Sequence, residues 1–230
     1  MRDRPIVAID GPAGAGKSTV ARLLAGRLDF TLLDTGALYR TVALASARAG
    51  VTWDDPEGVT AVAHKLVQRR NIELSSDAHG TVRVSLGRED VSEAIRAPEM
   101  SMGASRVSAI AAVRAELLDL QRMAGEKGGV VVEGRDIGTV VFPDAEVKFF
   151  LTARPEVRAR RRCDELAAKG QPVDYETTLA EVLRRDQQDS SRPVSPLRMA
   201  EDAVLVDSSD MSIDGVVEHM AAEVAKRFVR

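Results

Sequence analysis

The sequence predicts a three-layer α/β fold in which helices cover both faces of a central parallel sheet. Three observations lead there. Short apolar runs without polar alternation recur at residues 5–10, 30–34, 130–132, 147–151 and 203–207, the pattern of strands buried on both faces. Segments with helical apolar spacing lie between several of these runs, as right-handed crossovers require. The first run passes through a glycine-rich turn directly into a helix, the arrangement of a phosphate-binding loop. At 230 residues there is room for one large domain, or a core with an insertion.

In chain order, Ile6 to Ile9 form the first strand, ending at Asp10. Val20, Leu23, Leu24 and Leu28 then recur at helical spacing over residues 18–28. Phe30 to Asp34 give the second strand, and a helix over 37–49 is stopped by Gly50. Residues 71–74 and 81–86 alternate apolar and polar side chains around a turn at 75–80, a hairpin with one wet face that interrupts the α/β rhythm. A helix over 111–124 follows. Gly128 and Gly129 precede the third strand, which runs out at Glu133, Gly134, Arg135 and Asp136. The fourth strand lies at 147–151. Pro155 opens a helix that Gly170 ends, the fifth strand is 203–207, and a last helix spans 211–228.

Composition narrows the function. Hydrophobic residues make up 44% and charged residues 29%, so the chain folds rather than remaining disordered. Aromatics are only 3%, too few for base-stacking platforms, and the net charge of −3 supplies no global field for nucleic acid or an anionic membrane. No apolar run is long enough to span a bilayer, and the apolar stretch near Met1 is too short for a secretory leader, so a cytoplasmic protein is expected. The single Cys163 excludes an internal disulfide and any multi-cysteine zinc site. Positive charge is nonetheless shaped: 26 of the 32 basic residues are arginine, with five of them in residues 154–162 and four in 184–198. Guanidinium forks suit phosphate oxygens.

The decisive motif is Gly11, Pro12, Ala13, Gly14, Ala15, Gly16, Lys17 and Ser18, which matches G-x-x-x-x-G-K-[ST] in its required strand-to-helix setting. Its glycines let successive N–H groups face one anion, and the helix start adds partial positive charge. Lys17 is expected to reach the terminal phosphates of a nucleoside triphosphate, and the Ser18 hydroxyl, or that of Thr19, to bind Mg²⁺. No N-K-x-D segment reads guanine. A small phosphate-loop protein with two arginine clusters therefore suggests phosphoryl transfer to a second phosphorylated ligand. The motif alone leaves open a kinase for UMP, AMP or a non-nucleotide, and equally a regulatory nucleotide-binding module.

Four segments carry a closer likeness: residues 9–18, 33–40, 133–143 and 185–192. Together they resemble the bacterial cytidylate kinases, a nucleoside monophosphate kinase family, over most of the chain. The resemblance implies a core at 1–65 and 101–230, a lid at about 154–172, and an inserted monophosphate-binding subdomain at 66–100. It implies transfer of the γ-phosphoryl group of ATP to CMP or dCMP, with Mg²⁺, in pyrimidine nucleotide metabolism. It further implies that Thr35, Tyr39, Arg40, Ser105, Arg114, Arg135, Asp136, Asp189 and Arg192 bind the acceptor nucleotide. Catalysis would fall to Lys17, Arg135, Arg158, Arg161 and Arg185, with Arg154 and Arg162 as further lid arginines.

One departure stands out, because Ala13 occupies a position where the family often carries a serine hydroxyl. Glu133 and Asp34 are candidates to hold Mg²⁺ through water. His64, His79 and His219 have no motif context and are assigned no role. The expected partners are small nucleotides, with no nucleic acid and no membrane, and a monomer is the simplest state.

Overall fold

A computed structural model describes residues 2–76, 82–168 and 170–228. Its centre is a five-stranded, all-parallel sheet of β1 (Ile6–Asp10), β2 (Thr31–Asp34), β6 (Val130–Gly134), β7 (Val147–Thr152) and β8 (Val204–Asp207), in the order β2-β6-β1-β7-β8. Strand β1 lies in the middle, with Ile6 opposite Val130 and Val7 opposite Val147. Its side chains divide by period two. Val7 and Ile9 face a cluster with Val131, Phe149 and Leu151, while Ile6 and Ala8 face another with Leu33, Val130 and Val132. Each face needs a cover, and that is why the runs are continuously apolar.

The first face is closed by α1 (Lys17–Leu28) and α8 (Ile213–Arg227), through Val20, Leu24, Val217 and Met220. The second is closed by Ile137, Val141 and Phe142 with Leu118 of α5 (Ala111–Gly125). Two helix starts differ from expectation because of their caps. Helix α2 (Thr35–Arg48) begins two residues early, since the Asp34 carboxylate accepts from Ala37 N–H at 3.0 Å. Helix α8 begins late, where the Ser212 hydroxyl accepts from Gly215 N–H at 3.1 Å.

Beyond α2 a second hydrophobic centre forms. Helices α3 (Pro56–Gln68) and α4 (Pro98–Val107) pack with α2 and α5 around Leu38, Val59, Val107 and Leu117. The hairpin joins this centre through Ile72 and Val84 of β3 (Ile72–Ser76) and β4 (Val82–Leu86), while Glu73 and Arg83 face water. Its expected turn falls largely on residues 77–81, outside those described. A short β5 (Glu89–Asp90) completes the antiparallel sheet. Helices α6 (Pro155–Ala168) and α7 (Tyr175–Ser191) form the remaining arm, joined in part by Arg160 stacked on the Tyr175 ring at 4.5 Å. Among the described residues, no helix is long and apolar enough to cross a membrane.

Candidate active site

The carboxyl ends of β1, β2, β6 and β8 open into one cleft of about 830 Å³. Open parallel sheets place ligands there, where connections diverge to either side. The loop between β1 and α1 forms its floor. Gly11 has φ +150, and a Cβ on it would lie 1.9 Å from the Leu151 carbonyl, so only glycine lets the chain leave β1 so close to β7. Gly16 enters α1 at φ +89 with no side-chain cap, and no acidic residue occupies the first turn. The leading amides of α1 are therefore left for an anion. Gly14, Ala15, Gly16, Lys17, Ser18 and Thr19 all line the cleft, as does Ala13, whereas Gly11 and Pro12 support it from below.

Lys17 is buried and donates to the Pro12 carbonyl at 2.6 Å. Burial, with Arg135 nearby, drives its ammonium well below the ordinary lysine value. Burial and the same Arg135 push Arg185 down to about 10. These cations oppose one another, and a polyanion between them would relieve the strain. The Ser18 hydroxyl donates to Glu133 Oε2 at 3.0 Å, while Glu133 Oε1 is buried without a partner. Burial, reinforced by Asp34, pushes Glu133 up to about 7. An unpaired carboxylate oxygen beside a hydroxyl and a second carboxylate is a hard-oxygen environment that suits Mg²⁺.

The raised Glu133 value sets a sign for stability. Between the ordinary glutamate value of about 4.3 and 7, the folded protein holds a proton that the unfolded chain releases. That stabilisation is complete at low pH and is lost as pH rises through 7. Glu133→Gln, which keeps an acceptor for Ser18, is expected to gain stability over the native protein as pH is raised from 5 to 8 without ligand. Thermal unfolding at both values checks this, and a constant difference would contradict it.

Opposite the loop, α2, α4, α5, α7 and the residues after β6 supply the second half. The Thr35 hydroxyl donates to the Glu133 carbonyl at 2.8 Å, fixing the start of α2 against β6. Arg40 reaches back to Asp34 at 2.6 Å and keeps Nε unpaired. Arg114 is buried, pairs with Asp136 and lies over the Tyr39 ring at 5.5 Å. Arg135 donates through Nε to Asp189 at 2.7 Å. Burial alone would raise the Asp189 carboxyl, but Arg135, Arg185 and Arg192 outweigh it and hold the carboxyl below its usual range. Arg192 caps α7 and donates to the Ser195 carbonyl at 2.6 Å, leaving Nη2 buried without a partner. Ser105 of α4 lines the same wall.

The structure thus gathers Lys17, Ser18, Thr35, Tyr39, Arg40, Ser105, Arg114, Arg135, Asp136, Arg185, Asp189 and Arg192 around one space. The four arginines expected in the lid, Arg154 just before α6 and Arg158, Arg161 and Arg162 on it, diverge. Arg161 and Arg162 line the cleft, Arg161 holding the Ser208 carbonyl at 2.7 Å and Arg162 pairing with Glu165. Arg154 turns outward to Asp210. Arg158 lies behind the loop, where Asp186 of α7 takes it at 2.9 and 2.5 Å and it donates to the Ala13 and Ala153 carbonyls.

Arg158→Ala strands Asp186 as an unpaired, partly buried charge. It is expected to cost about 3 kcal/mol of stability, read by denaturant unfolding. An unchanged unfolding midpoint with lost turnover would instead put Arg158 on the phosphates. Beside Arg161 and Arg162, sequence reasoning missed a wall formed by Ser208, Met211, Ile213 and Val216. Met211 and Ile213 are exposed apolar side chains that no motif announces.

The chain matches the family model for cytidylate kinase over residues 7–226. It is 54% identical to a cytidylate kinase of Syntrophotalea carbinolica, over 99% of this chain and 94% of that protein. It is 50% identical to one of Pelotomaculum thermopropionicum, over 98% of each chain. With one of Mycobacterium leprae the identity is 52%, over 96% of each. Among solved structures, an uncharacterized protein from Eubacterium ventriosum shares the fold, at 12% identity and a TM-score of 0.52, over 97% of this chain and all of that one.

Proposed function

The chain belongs to the cytidylate kinase family, and from that premise we propose that its cleft transfers the γ-phosphoryl group of Mg·ATP to CMP or dCMP, giving ADP and CDP or dCDP. One observation carries the reading. Four buried polar atoms without partners, Arg40 Nε, Glu133 Oε1, Arg185 Nε and Arg192 Nη2, belong to residues lining a space with an amide-lined loop on one side and guanidinium groups on the other. Buried polar groups are ordinarily paired, so such a concentration fits groups that pair with a ligand.

In this reading the loop amides cradle the donor phosphates, and Lys17, with two of its three N–H bonds uncommitted, follows the transferring group. Arg135, Arg185 and Arg40 receive the acceptor phosphate. An acceptor oxygen attacks the γ-phosphorus as the bond to the β,γ-bridging oxygen breaks, and ADP leaves with that electron pair. The acceptor is already an anion, so no general base is required, and placement with electrostatics supplies the rate.

Asp189, Arg192, Arg114, Asp136 and Ser105 present donors and acceptors to the cytosine edge and ribose, with Tyr39 backing Arg114. Met211 and Ile213 offer an apolar face to the donor base. Ser18, Glu133 and Asp34 would hold Mg²⁺, which withdraws charge from the phosphates when bound.

Residues 154–172 act as the lid that excludes water from the triphosphate, with Arg161 and Arg162 facing it. Residues 66–100 act as an acceptor-side insert, supported by the hydrophobic centre they share with α2 to α5. A monomer is the simplest assembly, and the buried free Cys163 suits a reducing cytoplasm. Coupled ADP release with Mg·ATP and CMP, dCMP, UMP, AMP or GMP tests the assignment. Turnover should depend on CMP and dCMP. ADP release that none of the five accelerates would overturn it.

A further inference from the structure

Asp10 ends β1, one residue before the glycine that opens the donor loop, yet its carboxylate faces the other half of the site. It is buried at 3% exposure and accepts from Ile137 N–H at 2.7 Å and Gly138 N–H at 2.8 Å. Those two amides follow directly on Arg135 and Asp136. Asp10 itself does not line the cleft.

We propose that Asp10 is a positioning residue that fixes the Arg135–Asp136 arm against the donor loop, so that the acceptor phosphate is presented in line with the γ-phosphoryl group. The inference rests on the cytidylate kinase reading and adds a residue to its machinery.

Three features support it. Hydrogen bonds from backbone amides to a carboxylate are charge-assisted, and away from water they hold position tightly. The arm continues as a single π-turn, Ile137–Val141, a conformation that needs outside support and gathers at functional sites. Its far end is tied down separately, because Arg122 donates to the Val140 and Val141 carbonyls at 3.0 and 3.1 Å. With that end secured, the near end is held through its side chains by Arg114 on Asp136 and Asp189 on Arg135, and through its backbone by Asp10. The turn also has little room beside it: a Cβ on Gly138 would meet Lys148 Cδ at 3.0 Å, while Asp10 Oδ2 would lie at an ordinary 3.5 Å.

Asp10→Asn keeps the shape but turns an NH₂ toward one of the two amides, so one bond becomes a repulsion. The test is steady-state kinetics of this variant with Mg·ATP and CMP, together with hydrogen exchange at Ile137 and Gly138. A displacement near 1 Å at a reacting group costs about 100-fold, so kcat should fall by about that factor. KM for CMP should rise about tenfold while KM for ATP stays within about twofold, and both amides should exchange faster; a tenfold rise is about 1.4 kcal/mol of lost acceptor binding.

The bias toward CMP separates positioning from general loosening, because Asp10 adjoins the ATP loop in sequence. Native kinetics in Asp10→Asn, or equal rises in both KM values, would overturn the proposal. Should that variant not fold, Asp10→Ser, which is smaller and leaves one acceptor oxygen for the two amides, must give the same CMP-biased loss. If the native protein itself does not turn over CMP, the functional reading fails first. A CMP-active native protein with an indifferent Asp10→Asn condemns only the role of Asp10.

Discussion

Lys17→Ala is expected to abolish nearly all turnover while the protein remains folded. Lys17 is the only cation at the start of α1, and its ammonium has one carbonyl partner, Pro12, so its remaining donors are free for the transferring group. Loss of a single preorganised donor to developing charge costs on the order of 10²–10³ in kcat, and a full positive charge in a water-poor site belongs at the upper end or beyond. Stability should move the other way. The ammonium is buried and pressed well below its ordinary pKa by burial and by Arg135, so removing it relieves an unfavourable charge. The expected pair of results is a kcat at least about 10³-fold lower with an unfolding midpoint equal to or above the native one. Turnover within a few-fold of native would remove Lys17 from the mechanism.

Asp189→Ala should separate the two substrates more sharply than any other change in the cleft. Asp189 is buried, charged and paired with Arg135, and Arg185 and Arg192 help keep it ionised. A site built to hydrogen-bond a base rejects one it cannot satisfy by factors of about 10⁴, because its polar groups are left unpaired. The variant loses the acceptor and also strands Arg135. Therefore kcat/KM for CMP is expected to fall by about 10³ or more, with KM for ATP within about threefold of native. Equal losses for the two nucleotides would refute a base-reading role. Asp189→Asn refines the result, because it keeps the shape and restores one acceptor, and should recover part of the CMP activity.

Parts of this molecule were legible in one dimension for specific physical reasons. The loop of Gly11 to Ser18 announces itself because its chemistry is carried by consecutive residues, so spacing and geometry coincide. The five strands were legible because both faces of a central parallel sheet are buried, which turns each strand into an uninterrupted apolar word. Helix α3 carries an equally local signal. Asp55 caps it, Pro56 fills its first turn, and Val59, Ala63 and Leu66 share its buried face. Helix α4 likewise starts at Pro98.

What spacing cannot reveal is pairing across elements. Arg158 and Asp186 stand 28 residues apart and meet only because α6 packs on α7. From sequence alone Arg158 looks like a partner of Arg161 on a helix face. In three dimensions it braces Ala13 from behind, while Arg161 reaches the cleft wall. Asp10 is the same case: it reads as the last letter of a strand, and its partners lie 127 and 128 residues further on. Met211 and Ile213 carry no such signal, because two apolar residues at a loop and helix start obey no motif.

A cytidine and an adenosine joined through five phosphates, offered to the protein during steady-state turnover, put the two-sided cleft to its most direct trial. One such molecule should compete with ATP and with CMP alike, and bind far more tightly than either. Competition with a single substrate, leaving the other's KM untouched, would mean that the loop and the guanidinium cluster serve separate places.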